Sequence, residues 1–157
     1  MLASHDTEAA AAAAELLDAD PEKPRLNRAY QDRFFPGSTF KVVTAAAGIE
    51  HGGVTRDQPS YPSSNGYTAP GTTRPLRNFG GDTCGGSLFQ ILRVSCNTAF
   101  AQMGVETGPE GMVRTAEAFG FNKDVPIDLT NPARSNFPVD FERNLPALAQ
   151  SSIGQFE

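Results

Sequence analysis

In "FFPGSTFKVV", Ser38 and Lys41 stand three positions apart, just after Pro36 and Gly37. Side chains at i and i+3 share one face of a helix, so the hydroxyl and the amine would be neighbours there. A lysine that has lost its proton can take the hydroxyl proton of a serine and turn it into a nucleophile. The first turn of a helix adds unpaired N–H groups and a positive dipole end, both favouring negative charge on a reacting oxygen. A capping serine beside a solvated lysine would give the same letters, and the pair alone does not separate the two readings. Ser95 and Asn97 in "VSCNTAF" form a second polar pair: a hydroxyl can relay a proton and an amide can hold a substrate carbonyl. Their plain alternative is a helix break satisfied by its own side chains. Ser63, Ser64 and Asn65 repeat the residue types ahead of Gly66, in turn-like sequence that favours a structural role.

These residues need elements to position them. Ser4 to Asp20 read as a surface helix rich in alanine, with Asp6 or Thr7 as its N-cap and Pro21 beyond its end. A polar connector follows through Asn27 and Arg28. The run "STFKVVTAAAGIEHGG" predicts a buried helix stopped by Gly52 and Gly53, which puts Ser38 in the first turn. From Val54 to Gly86 the sequence is rich in Gly, Pro, Ser, Thr and Asn and predicts loops with short hairpins. "SLFQILRVSCNTAFAQMG" carries apolar residues at helical spacing on both sides of Ser95, Cys96 and Asn97, so two helices joined by a tight turn are expected. A further helix runs from Pro109 to Gly120. Pro126, Pro132, Pro138 and Pro146 then mark an irregular stretch, and the closing "SSIGQFE" reads as the beginning of a helix.

The 157 residues suit one core-bearing domain, with 15 Gly and 12 Pro leaving much of it irregular. A formal net charge of −5 gives no electrostatic reason for a nucleic-acid partner. No apolar run is long enough to span a bilayer, and the opening residues have no signal-peptide pattern. Both ends look cut, so residues 1–157 read as a partial domain. His5 and His51 are isolated from each other and from both cysteines, which argues against a metal site. No phosphate loop is present either.

In their order and spacing, "YQDRFFPGSTFK", "VSCNTAF" and "SSIGQ" resemble the transpeptidase domain of class B penicillin-binding proteins, and "LASHD" and "NRAYQDRFFPGSTFKVVTAAAG" extend the likeness over nearly all of the chain. The resemblance implies the α/β fold shared by penicillin-binding proteins and serine β-lactamases. This chain would be a mainly α fragment of it, with the helical subdomain present and most of the central sheet missing. It further implies Ser38 as the acylated nucleophile, Lys41 as its general base, Ser95 as a proton relay and Asn97 as a substrate-positioning amide. The implied activity is that of a peptidoglycan DD-transpeptidase, which cross-links stem peptides through a serine acyl-enzyme and is inhibited covalently by β-lactam antibiotics. No cofactor is implied. Cell-wall synthesis proteins are the implied partners, whether in division or elongation. The implied location is the extracytoplasmic face of the bacterial cytoplasmic membrane, with a membrane anchor.

The family's third motif, Lys-Thr-Gly or Lys-Ser-Gly, is absent: Lys23, Lys41 and Lys123 precede Pro24, Val42 and Asp124. Glu106-Thr107-Gly108 has the wrong charge, and its glycine reads as a helix C-cap. The fragment as it stands is therefore expected to acylate very slowly or not at all, and to leave apolar helix faces without their sheet. Two rival readings remain. A serine β-lactamase needs a base for its deacylating water, and Glu142 in "ERNL" faintly resembles such a residue, although Pro146 follows where Asn is wanted. A non-catalytic β-lactam sensor or scaffold homologue could also keep Ser38 and Lys41. An extracytoplasmic location, as the resemblance implies, would allow a disulfide between Cys84 and Cys96; the alternative is a small buried thiol at Cys96 and a loop thiol at Cys84.

Overall fold

The computed structural model describes residues 5–141 and 143–156. Its first unit comprises residues 1–33 and 126–133. Asp6 accepts from the amides of Glu8 and Ala9 at 3.1 and 3.0 Å and so caps helix α1, Thr7–Asp18. None of its residues is buried, so α1 rests on the high helix propensity of its alanines and on that cap. In the same unit the Tyr30 carbonyl accepts from the Ala133 amide at 2.7 Å, and Gln31 Nε2 donates to the Thr130 carbonyl at 2.9 Å.

The second unit comprises residues 34–125 and 134–157. A 3-10 turn, Gly37–Phe40, runs directly into α2, Lys41–His51, which ends at Gly52. The Gly-rich segment then forms four short strands: β1, Tyr61–Ser64; β2, Gly66–Tyr67; β3, Leu76–Arg77; and β4, Cys84–Gly86. Both pairings are antiparallel. β1 faces β4 with Tyr61 opposite Gly86 and Ser64 opposite Cys84, while β2 faces β3 with Gly66 opposite Arg77. Ser64 Oγ donates to the Gly66 carbonyl and accepts from its amide, so this serine shapes a turn. Helix α3, Leu88–Arg93, opens on a Ser87–Gln90 capping box. Helix α4, Asn97–Ala118, is interrupted at Gly108 (φ 84°, ψ 163°), so Pro109 starts its second run.

Helix α4 is the axis of the core. Its first run packs Phe100 and Met103 among Ile91, Tyr61 and Ile153. Its second run places Met112 and Ala116 against Phe40, Val43, Phe137, Phe141 and Leu148. Phe40 stacks on Phe137 at 5.1 Å and meets Phe121 edge-on at 5.4 Å. This packing fixes the start of α2, because Phe40 lies between Ser38 and Lys41.

One expectation needs correction. The end of the chain is not an irregular stretch followed by a new helix: α5 spans Leu145–Ser151, and "SSIG" is where it stops. Pro146 sits in the first turn, where its missing N–H costs nothing, and Asn144 caps the helix by accepting from the Ala147 amide. A proline at that position is a helix start rather than a breaker. Glu142 lies outside the described residues. His5 and His51 are both exposed, and the described residues contain no group of three or more potential metal ligands. No described helix is long and apolar enough to cross a membrane.

Candidate active site

Lys41 is the centre of the site. Its side chain is 1% exposed at the start of α2, and its Nζ meets four oxygens. These are Asn97 Oδ1 at 2.5 Å, the Ser95 carbonyl at 2.7 Å, Ser95 Oγ at 3.0 Å and Ser38 Oγ at 3.1 Å. The Phe100 ring lies beneath, 5.9 Å from Nζ to its centroid. All four sequence candidates, Ser38, Lys41, Ser95 and Asn97, therefore meet at one nitrogen. Burial pushes the Lys41 pKa down from 10.5 to about 8.

The valences around Nζ are informative. The Ser95 carbonyl and Asn97 Oδ1 can only accept, so they claim two of the three hydrogens of an ammonium, leaving one for the two serine hydroxyls. When Nζ is neutral, the carbonyl and the amide still take both remaining hydrogens. The lone pair is then left toward the hydroxyls of Ser38 and Ser95, in position to receive a proton from either. The amide orientation supports this assignment, because Asn97 Nδ2 donates to the Arg77 carbonyl at 3.1 Å and so turns Oδ1 toward Lys41.

Two backbone devices hold the serines. Ser38 is exposed in the 3-10 turn, and the Gly37 amide before it donates to the Gly154 carbonyl at 3.0 Å. Gly154 has φ +71°, and a Cβ on it would stand 2.2 Å from the Gly37 oxygen, so only glycine permits the contact. Ser95 closes α3 in a left-handed conformation, φ 55°. Its amide donates to the Leu92 carbonyl at 3.1 Å and that of Cys96 to the Ile91 carbonyl at 2.9 Å, the double bond of a Schellman motif. That position usually holds glycine, and here it carries a hydroxyl facing Lys41.

Asn78 escaped the sequence reading. It is 8% exposed, and its Nδ2 donates to the carbonyls of Ser64 and Asp82, each at 2.8 Å. Its Oδ1 accepts from the Thr98 amide at 3.0 Å, capping α4 because Cys96 has no side-chain oxygen to do so. Arg77 and Asn78 together thus grip Asn97 and Thr98 from outside the helix. Neither residue has a periodic or spacing signal, and position 78 looks like one more Asn in a turn-rich run. A disulfide joins Cys84 to Cys96 with Cα atoms 5.8 Å apart, tying β4 to the residue between Ser95 and Asn97.

A family model described as penicillin binding protein transpeptidase domain matches residues 1–156. The chain belongs to that family. It is 41% identical over 160 residues to the peptidoglycan D,D-transpeptidase PbpA of Mycolicibacterium smegmatis, a match covering 99% of this chain and 32% of the relative. The crystal structure of PBPA from Mycobacterium tuberculosis superposes with a TM-score of 0.86 at 36% identity, covering 99% of this chain and 36% of that one. The D,D-transpeptidase domain of a peptidoglycan glycosyltransferase from Eggerthella lenta matches with a TM-score of 0.79 at 31% identity over 92% of this chain and 34% of that one. The chain thus spans about a third of the length of the curated relatives it matches. Its fold is the mainly α part of the α/β transpeptidase fold, with the helical subdomain present and little sheet.

Proposed function

We propose that this chain carries the serine-lysine half of a peptidoglycan DD-transpeptidase site. Ser38 Oγ attacks the carbonyl carbon of a donor peptide as its proton passes to neutral Lys41. The peptide C–N bond then breaks, and the departing amine takes a proton from the Ser95–Lys41 pair. The amine of an acceptor peptide attacks the ester, restoring the Ser38 hydroxyl and leaving a new peptide bond. Asn97 holds Lys41 through Oδ1 and keeps one Nδ2 hydrogen for a substrate carbonyl. The observation that supports this reading most is the convergence of Ser38 Oγ, Ser95 Oγ and two obligate acceptors on one buried amine.

The same serine is the proposed point of attack on β-lactams. The M. tuberculosis relative has been solved as imipenem and penicillin G acyl-enzyme complexes. No Lys-Thr-Gly or Lys-Ser-Gly occurs in these 157 residues, so the chain alone is expected to acylate slowly for want of that cation and oxyanion donor. Placement on the extracytoplasmic face of the cytoplasmic membrane belongs to the same proposal and is supported by the disulfide, a bond at home in oxidising compartments. Labelling the intact protein with a fluorescent penicillin tests the mechanism. Wild type is expected to label and Ser38→Ala to stay dark, whereas undiminished labelling of the alanine variant rejects Ser38 as nucleophile.

A further inference from the structure

The turn in which α5 ends offers two carbonyls to the element that carries the nucleophile. The Gly154 carbonyl accepts from the Gly37 amide at 3.0 Å, just before Ser38, and the Ser152 carbonyl accepts from Thr44 Oγ1 at 2.7 Å, one helical turn after Lys41. Ser38 and Lys41 thus lie between two points fastened to one turn. The second point is fully buried, with Thr44 and Ser152 both at 0% exposure. Thr44 has a single hydroxyl hydrogen, and the Phe40 carbonyl of its own segment stands further off at 3.4 Å, so the hydrogen goes to Ser152.

Ser152 is held from its other side by α4. A Cβ on Gly104 would lie 1.8 Å from Ser152 Oγ, so the glycine in α4 makes room for this residue, whose hydroxyl donates to the Leu148 carbonyl at 2.7 Å. Asn97 opens the same helix. A continuous path therefore runs from Thr44 through the Ser152 carbonyl to Gly104, and along α4 to Asn97. The i,i+3 spacing sets Ser38 beside Lys41, but it does not set where α2 lies along α4, and on that placement depends the 3.0 Å contact of Lys41 Nζ with Ser95 Oγ. Apolar packing between the two helices is non-directional, whereas a hydrogen bond has a direction and a length.

We propose that Thr44 is a positioning residue for acylation: its hydroxyl, through the Ser152 carbonyl, registers α2 against α4 and so brings the Ser38–Lys41 pair to Ser95 and Asn97. The hydroxyl bonds to none of the reacting groups, so its effect falls on the chemical step and not on binding. The inference rests on the transpeptidase reading and adds to it a residue outside the serine-lysine pair.

The test measures acylation of the intact protein by penicillin G over a range of concentrations, followed by mass spectrometry, which separates the saturating rate from the half-saturating concentration. Position 44 supplies two pairs that differ in the hydroxyl: wild type with Thr44→Val, and Thr44→Ser with Thr44→Ala. In each pair the form without the hydroxyl is expected to have a saturating rate lower by about tenfold or more, because an ångström of misplacement can cost on the order of 10². The half-saturating concentration should not change. Thr44→Ser loses a buried methyl group and should melt below wild type, yet keep most of the rate. Rates that follow the melting temperature instead of the hydroxyl, or a change confined to the half-saturating concentration, would make Thr44 a core residue only and overturn the inference. If Thr44→Val does not melt cooperatively, the Thr44→Ser and Thr44→Ala pair decides alone. A wild type that acylates, with all the variants matching its saturating rate, overturns this inference and leaves the transpeptidase reading standing. A wild type that penicillin G does not acylate overturns both.

Discussion

The two polar pairs of the site are positioned by opposite means. Ser38 and Lys41 lie on one helical start, and their 3.1 Å contact follows from i,i+3 geometry once Phe40 between them is packed at 2% exposure. Ser95 and Asn97 lie in the break between α3 and α4, where chain geometry alone would leave them to water. They are held by the Arg77 carbonyl, by Asn78 on the Thr98 amide, and by the disulfide at Cys96. The first pair is a property of a segment and the second of a fold. The contact between Ser38 and Lys41 thus needs little beyond its own segment and the Gly154 carbonyl on Gly37, whereas Ser95 and Asn97 depend on a turn-rich segment that has little core of its own.

The largest effect should come from the segmental pair. Lys41→Met is expected to slow acylation of the intact protein by about 10² to 10⁴, the usual cost of a lost general base. In wild type the acylation rate should rise about tenfold per pH unit below the Lys41 pKa of about 8 and level off above it, because the proposed base is the neutral amine. Stability follows the same group. Between about pH 8 and 10.5 the unfolded chain keeps a proton that the folded chain has released, so stability rises with pH across that window. Lys41→Met should flatten that slope in chemical denaturation. A rate profile without an inflection near 8 would remove Lys41 as the base.

The fold-dependent pair breaks differently. Asn78→Ala strands the Thr98 amide and removes a donor from the carbonyls of Ser64 and Asp82, at a cost of about 1 to 3 kcal/mol. If Asn78 positions Asn97, acylation should slow by more than the lost folded fraction explains, while the rate inflection near pH 8 stays where it is. A loss of stability with unchanged acylation of the folded fraction would make Asn78 a support of the sheet only.

The smallest effect concerns the left-handed Ser95. Ser95→Ala and Ser95→Gly both remove the hydroxyl and should slow acylation alike, but the glycine variant should be the more stable by about 1 kcal/mol because it adopts φ 55° without steric cost. Equal melting temperatures would show that the Schellman turn carries no strain.

The same contrast explains what could be read from the residues alone. The Asp6 cap, the helix start at Ser38 and the break at Ser95 to Asn97 all rest on local rules of capping and spacing, and the structure has each in place. Helix α5 was illegible because Pro146, counted among four prolines of an irregular stretch, is the residue that starts it. The Arg77 carbonyl and the Gly154–Gly37 contact are backbone groups with no letter of their own. Asn78 matters through partners fourteen and twenty positions away, a separation that no periodicity reports.

Position 95 also sets two kinds of laboratory selection against each other. A library of variants sorted by resistance to heat would drift toward glycine there, since the turn after α3 is shaped for it. The same library sorted by penicillin labelling would hold the serine, whose hydroxyl stands 3.0 Å from Lys41 Nζ. Thermostable descendants that keep their labelling must therefore gain their margin at positions other than 95.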